Sequence, residues 1–103
     1  MSGYTQFIEG LVGREITTVS GRSNRVLAVD DWVVLVATSR SPAGQPVPVR
    51  WVTDALTRLQ VTREVEVSVE SLGYCSGFVG AVLLQVPGAA LVPSSPPRVR
   101  LAG

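Results

Sequence analysis

PVPVRWVTDALTRLQ, residues 46–60, carries Val49, Val52, Leu56 and Leu59 at steps of three, four and three. That spacing puts the four side chains on one stripe of an α-helix. Arg50, Asp54, Thr57 and Arg58 fall on or near the opposite side, so the helix has one face for a core and one for solvent. The residues that feed it, TSRSPAGQP (38–46), are small, polar or ring-constrained and include one arginine. A polar loop running into an amphipathic helix, with arginines in both, is what a groove-docking DNA module needs. Many ordinary domains carry the same arrangement.

On the N-terminal side, residues 3–13 place Tyr4, Phe7, Ile8, Leu11 and Val12 at helical spacing and predict a short amphipathic helix stopped near Gly13. EITTVS (15–20) is rich in β-branched residues and reads as a strand closed by a turn over 21–24. RVLAV (25–29) and WVVLVATS (32–39) are joined by Asp30 and Asp31, and two such runs across two acidic turn residues predict a tight hairpin. The Val/Leu density of the second arm predicts a central strand buried on both faces, with Trp32 packed in the sheet.

On the C-terminal side, residues 61–63 make a turn. Val65, Val67 and Val69 then alternate with Glu64, Glu66 and Ser68, the period-two signature of a strand with one wet face. A loop and a helix over about 76–86 follow. Gly77 and Gly80 cost that helix about 1 kcal/mol each against Ala, a cost that close packing against another element recovers. AALVPSSPP (89–97) reads as a Pro-rich connector and RVRLA (98–102) as a last strand. The order α-β-β-β-α-β-α-β predicts an α+β fold: a small, mostly antiparallel sheet of four to five strands with about three helices on one side. A winged-helix-like arrangement is a permitted variant. Residues 1–103 are expected to form a single domain, and the abrupt end after a strand suggests a module of a longer protein.

Composition removes several functions. The chain has 103 residues, 46% of them hydrophobic, which argues against disorder. No apolar run reaches the roughly 20 residues that span a bilayer, and the N-terminus lacks the basic and apolar regions of a signal peptide, so a cytoplasmic location is expected. Cys75 is the only cysteine and there is no histidine. An internal disulfide and a thiolate metal cluster are therefore impossible. The commonest general base and the usual partner of a Ser or Cys nucleophile are missing. GYCSG (73–77) resembles a nucleophile turn, but neither Cys75 nor Ser76 has an activating base. No catalytic residue, metal ligand set or cofactor is expected.

All nine basic residues are arginine and the net charge is +1. Codon bias alone accounts for such a preference; functionally, guanidinium forks suit phosphate and guanine. SGRSNR (20–25) and TSRSPAGQP (38–46) each present hydroxyls and guanidinium donors on a connection, where binding residues commonly sit. In a three-stranded meander these two connections emerge at one end and Asp30 and Asp31 at the other. That segregates Arg22, Arg25, Arg40 and Arg50 from the acids, against the plainer reading of an ordinary solvated loop surface. Trp51, at the margin of the helical stripe, reads first as a core residue. Left partly open beside Arg50, it offers a flat apolar face to a base or a methyl group, and Tyr74 could do either job.

Residues 38–88, TSRSPAGQPVPVRWVTDALTRL followed by EVEVSVESLGYCSGFVGAVLLQVPG, resemble a small module near the N-terminus of bacterial modification-dependent restriction nucleases, including HNH-type enzymes. In that family a basic residue commonly stands where this chain has Cys75, so no contact is carried over to that position. The resemblance implies a role in reading DNA, 5-methylcytosine in particular, with cleavage by another domain. The expectation is thus a non-catalytic module that binds double-stranded, methylated DNA and is compatible with a homodimer. Arg22, Asn24, Arg25, Ser39, Arg40 and Ser41 would serve the backbone, Gln45 and Arg50 would reach base edges, and Trp51 or Tyr74 would meet the base or its methyl. The rival expectation is a protein-interaction or oligomerisation domain using the apolar helix 78–86 or the edge of the terminal strand.

Overall fold

A computed structural model describes residues 3–68, 70 and 76–102. The chain runs α1 (Gly3–Glu9), β1 (Glu15–Thr17), β2 (Ser23–Val29), β3 (Val33–Ala37), β4 (Gln45–Pro48), α2 (Val49–Thr62), β5 (Glu64–Glu66), α3 (Ser76–Leu84), β6 (Ala89–Val92) and β7 (Arg98–Leu101). The fold is α+β and its strand pairs are antiparallel. The strands form two sheets, β1-β2-β3-β4 and β5-β7-β6, instead of the single sheet of four to five strands expected.

The expected hairpin is present, and Asp30 builds its turn. One carboxylate oxygen accepts the backbone N–H groups of Trp32 and Val33, both at 2.7 Å. Those two bonds, Val33's first, hold the Asp30 carboxyl below its usual range. A bulge between Val26 and Ala28 leaves Leu27 without a partner across the hairpin. In β3, Val34 and Val36 are buried, while Val33, Leu35 and Ala37 are half-buried. The strand is therefore sealed on one face, and its other face is only partly covered. Trp32 is 80% exposed and does not pack in the sheet: Asp30 holds its backbone in the turn, beyond the last paired residue.

The first three residues of the 46–60 stretch are strand, not helix. Gln45 and Val47 pair with Val36 and Val34, and Val49 N–H donates to Trp32 O at 2.9 Å. Neighbouring backbone groups alternate in direction, so Pro46 and Pro48 turn their ring nitrogens to the open edge, the place a strand tolerates proline. β4 thus reverses the chain before α2 begins.

α2 buries Val49, Val52, Ala55, Leu56 and Leu59, the predicted stripe plus an alanine. Arg63 ends it in the left-handed conformation (φ 65°), donating its N–H to Leu59 O. β5 follows with Val65 buried, and Val67 just beyond it is buried too. α3 is apolar all round, and Phe78 through Leu83 are buried without exception. Gly80 lets it in: a Cβ there would lie 2.8 Å from Val67 Cγ1. At Gly77 the same test meets only Thr18, its Cγ2 at 3.8 Å, an ordinary contact. Residues 89–92, expected as connector, pair with β7 as β6. Helices α2 and α3 pack on each other; α2 reaches β4, β5 and β7, and α3 reaches β1, β6 and β7. One core cluster joins both sheets through the helices.

Candidate nucleic-acid interface

At the end of the first sheet away from Asp30 and Asp31, two connections meet the first turn of α3 around a recess of about 370 Å³. Thr18, Ser20 and Arg22 come from the β1–β2 turn, Thr38, Ser39 and Arg40 from the β3–β4 connection, and Gly77 and Phe78 from α3. Asn24, Val36, Gln45 and Val47 complete the lining from the sheet's inner face. Strand alternation makes this grouping. Val36 pairs with both Val26 and Gln45, so those side chains share a face, and Asn24 lies on it two residues from Val26.

Local hydrogen bonds shape both connections. Thr18 N–H donates to Arg22 O at 2.7 Å, Arg22 N–H to Thr18 Oγ1 at 3.0 Å, and the Thr18 and Ser20 hydroxyls share a bond of 3.0 Å. Gly21 (φ 88°) supplies the left-handed residue that this turn needs. In the second connection, Ser41 N–H donates to Thr38 O at 3.2 Å and to Thr38 Oγ1 at 3.0 Å. Gly44 sits at φ 115°, and a Cβ on it would approach Leu35 Cγ to 2.7 Å. Glycine is required there for both reasons.

The electrostatics are one-sided. Arg22 and Arg40 reach the recess from separate connections, and no carboxylate is among its described lining residues. Neither guanidinium has an ion pair among the described residues. Gly77 and Phe78 bring the first described turn of α3 to the same place. Hydroxyls of Thr18, Ser20, Thr38 and Ser39 surround it, and Val36, Val47 and Phe78 give it an apolar wall. Asn24 is only 8% exposed.

Of the residues expected to form a site, Arg22, Asn24, Ser39, Arg40 and Gln45 come together here. Ser41 braces the second connection and is not in the lining. Arg25 does not join them. It stands one residue from Asn24, hence on the outer face, and its guanidinium lies 3.6 Å from Glu15, its cross-strand neighbour. Ser23 Oγ donates to the same carboxylate. Arg50 does not join them either. Because β4 carries the chain back, α2 starts at the Asp30–Asp31 end of the sheet, and Arg50 shares a second recess with Tyr4, Asp31 and Trp32. The expected convergence of four arginines therefore reduces to two. Trp51 is half-buried and packed against the core, the first of its two readings. Tyr74 and the rest of the turn at 73–75 lie outside the described residues.

Sequence reasoning missed Thr18, Ser20, Thr38 and Phe78 as lining. The hydroxyls lie in or beside the quoted turns and could have been added on that ground. Phe78 could not, since only the docking of α3 brings it to this end. Of the surfaces named for an interaction domain, Phe78 through Leu83 are buried and residues 84–86 half-buried, and β7 lies between β5 and β6. Among the described residues no group of His, Cys, Asp and Glu side chains could hold a metal ion, and no helix is long and apolar enough to cross a membrane. No protein-family profile, curated protein or solved structure matches this chain.

Proposed function

We propose that this protein is a non-catalytic DNA-binding module that meets the DNA backbone at the Arg22–Arg40 recess. The observation that carries the reading is that two arginines, from separate connections, line one concave surface with no acid among its described lining residues. Arginine forks bind phosphate bidentately, and the surrounding hydroxyls add donors of the kind that position a backbone. The likeness of residues 38–88 to modules of modification-dependent nucleases supports DNA as the ligand and 5-methylcytosine as the base it distinguishes. Binding would be local and modest, because a net charge of +1 supplies no general attraction to a polyanion.

The test is fluorescence anisotropy of methylated and unmethylated duplexes at low and moderate salt. Affinity should fall as salt rises, because neutralising a phosphate releases counterions, and each phosphate no longer neutralised should lower the slope by about 0.9. Replacing both Arg22 and Arg40 with Ala should therefore reduce the slope by about 2. Arg25→Ala and Arg50→Ala should leave it nearly unchanged, one being paired on the outer face and the other at the far end. Absence of binding to either duplex at low salt would defeat the proposal. So would a double variant that binds like the native protein.

A further inference from the structure

We infer that the outer face of the first sheet is an interface for a second copy of this chain, related by a two-fold axis that runs across the strands. The inference does not depend on the DNA reading. Strand alternation gives the sheet two faces, and Val26, Val34, Val36 and Val47 on the inner one belong to the core. β3 turns Val33, Leu35 and Ala37 the other way, and Pro48 and Pro46 of β4 stand opposite the first two. The bulge in β2 puts two consecutive residues, Leu27 and Ala28, between inner-facing Val26 and Val29, and Ala28 stands opposite Leu35. All seven are apolar, and none is buried. Val29 packs against the core cluster, whereas Leu27, Val33 and Leu35 do not. An antiparallel sheet with one wet face carries polar side chains on that face. Here the face is apolar across three neighbouring strands, a side built for burial that no described residue buries.

The distribution of charge points to the occupant. On the outer face of these strands the charged side chains are Glu15 and Arg25, which pair with each other at 3.6 Å in the β1 corner. The apolar centre therefore offers nothing to a charged partner. The ends of the sheet do carry charge, and of opposite sign: Asp30 and Asp31 at one, Arg22 and Arg40 at the other. None of these four is in an ion pair among the described residues. An axis across the strands lays apolar centre on apolar centre and sets the aspartate end of each copy over the arginine end of the other. An axis along the strands would set like ends together. A face with an uncharged centre and oppositely charged ends thus complements its own two-fold copy, as an isologous interface requires. Facing sheets pack about 10 Å apart, comparable to the Debye length at about 0.1 M salt, so the end charges act across the gap.

Four strands about 4.8 Å apart and about 17 Å long present roughly 300 Å² in projection. That lies at the low end of specific interfaces. Association should therefore be weak, with a Kd on the order of 10–100 µM.

Sedimentation velocity of the protein without DNA, from low micromolar to near-millimolar concentration, tests this. The native chain should pass from monomer to dimer across that range. Leu27→Glu should remain monomeric throughout, because it buries a carboxylate in the apolar centre. Ala28→Glu, at the neighbouring exposed position, should do the same and keeps the test open if the first variant fails to fold. Asp31→Arg and Arg40→Asp, each of which sets like charges together, should each raise the Kd several-fold, and the double variant should recover most of the loss. A native protein that stays monomeric would overturn the inference and leave the face to a different partner. A dimer that survives both glutamate variants would place the interface elsewhere. A double charge variant no better than the singles would refute the two-fold across the strands. Because no nucleic acid is present, each of these results stands whether or not the protein binds DNA.

Discussion

Replacing Gly80 with Ala sets two effects of known sign against each other. Ala is the better helix former by about 0.8–1.0 kcal/mol, so on local grounds the change should stabilise α3. The new methyl, however, would lie 2.8 Å from Val67 Cγ1 and 3.2 Å from Cγ2. Overpacking a tight contact costs roughly 1–3 kcal/mol, and the sign of the result depends on whether Val67 can give way. Its N–H is tied to Pro97 O at 2.8 Å, its side chain is buried, and a β-branched residue has only χ1 to adjust. The overlap should win, with a net loss of about 1–2 kcal/mol in urea unfolding, or roughly 4–15 °C in Tm for a domain of this size. Val67→Ala removes the obstructing methyls and alone should cost about 1.5 kcal/mol in apolar burial. In the double variant the methyl added at position 80 occupies the vacated space, so its loss should fall short of the sum of the singles by about 1 kcal/mol or more. A Gly80→Ala protein as stable as the native one, or strict additivity in the cycle, would show that α3 and Val67 do not approach as described.

Two further outcomes follow from the hairpin turn. The Asp30 carboxyl is lowered by the N–H groups of Val33 and Trp32; a carboxyl lowered on folding contributes stability above its ordinary pKa, and that contribution is lost as pH falls through the lowered value. The stability gap between native protein and Asp30→Ala should be full at neutral pH and close in acid below the usual carboxylate range; a gap independent of pH in denaturant titrations would refute this. Trp32, 80% exposed, should be freely quenched by acrylamide in a Trp51→Phe protein, while Trp51 should be shielded in a Trp32→Phe protein. Trp32→Ala should change stability by no more than about 0.5 kcal/mol, and a shielded Trp32 or a large loss would place that ring in a packed environment.

Features that depend on a few neighbouring residues were readable without coordinates. The stripe Val49, Val52, Leu56, Leu59 names its own helix face, because 3.6 residues per turn leave no other arrangement. Asp30 and Asp31 mark the hairpin, Val65 marks the inner side of β5, and Val67 just beyond it is buried as the alternation implies. The meander also brought Arg22 and Arg40 to one end, since that follows from strand count and direction alone. The errors came where pairing was not local. QPVP does not read as a strand, because proline spoils a ladder unless its nitrogen faces an open edge, and only pairing with β3 provides that edge. AALV lacks alternation, and it is a strand because β7 pairs with it across the intervening residues 93–97. The missed β4 then misplaced Arg50, since one added antiparallel strand moves the start of α2 to the opposite end of the sheet. By itself the sequence determined which residues face a core and which turns carry arginine. Tertiary packing decided that α3 would close the far side of the recess and that Asn24 would line it with no hydrogen-bond partner among the described residues. Such contacts join segments about 50 residues apart, beyond the reach of any local periodicity.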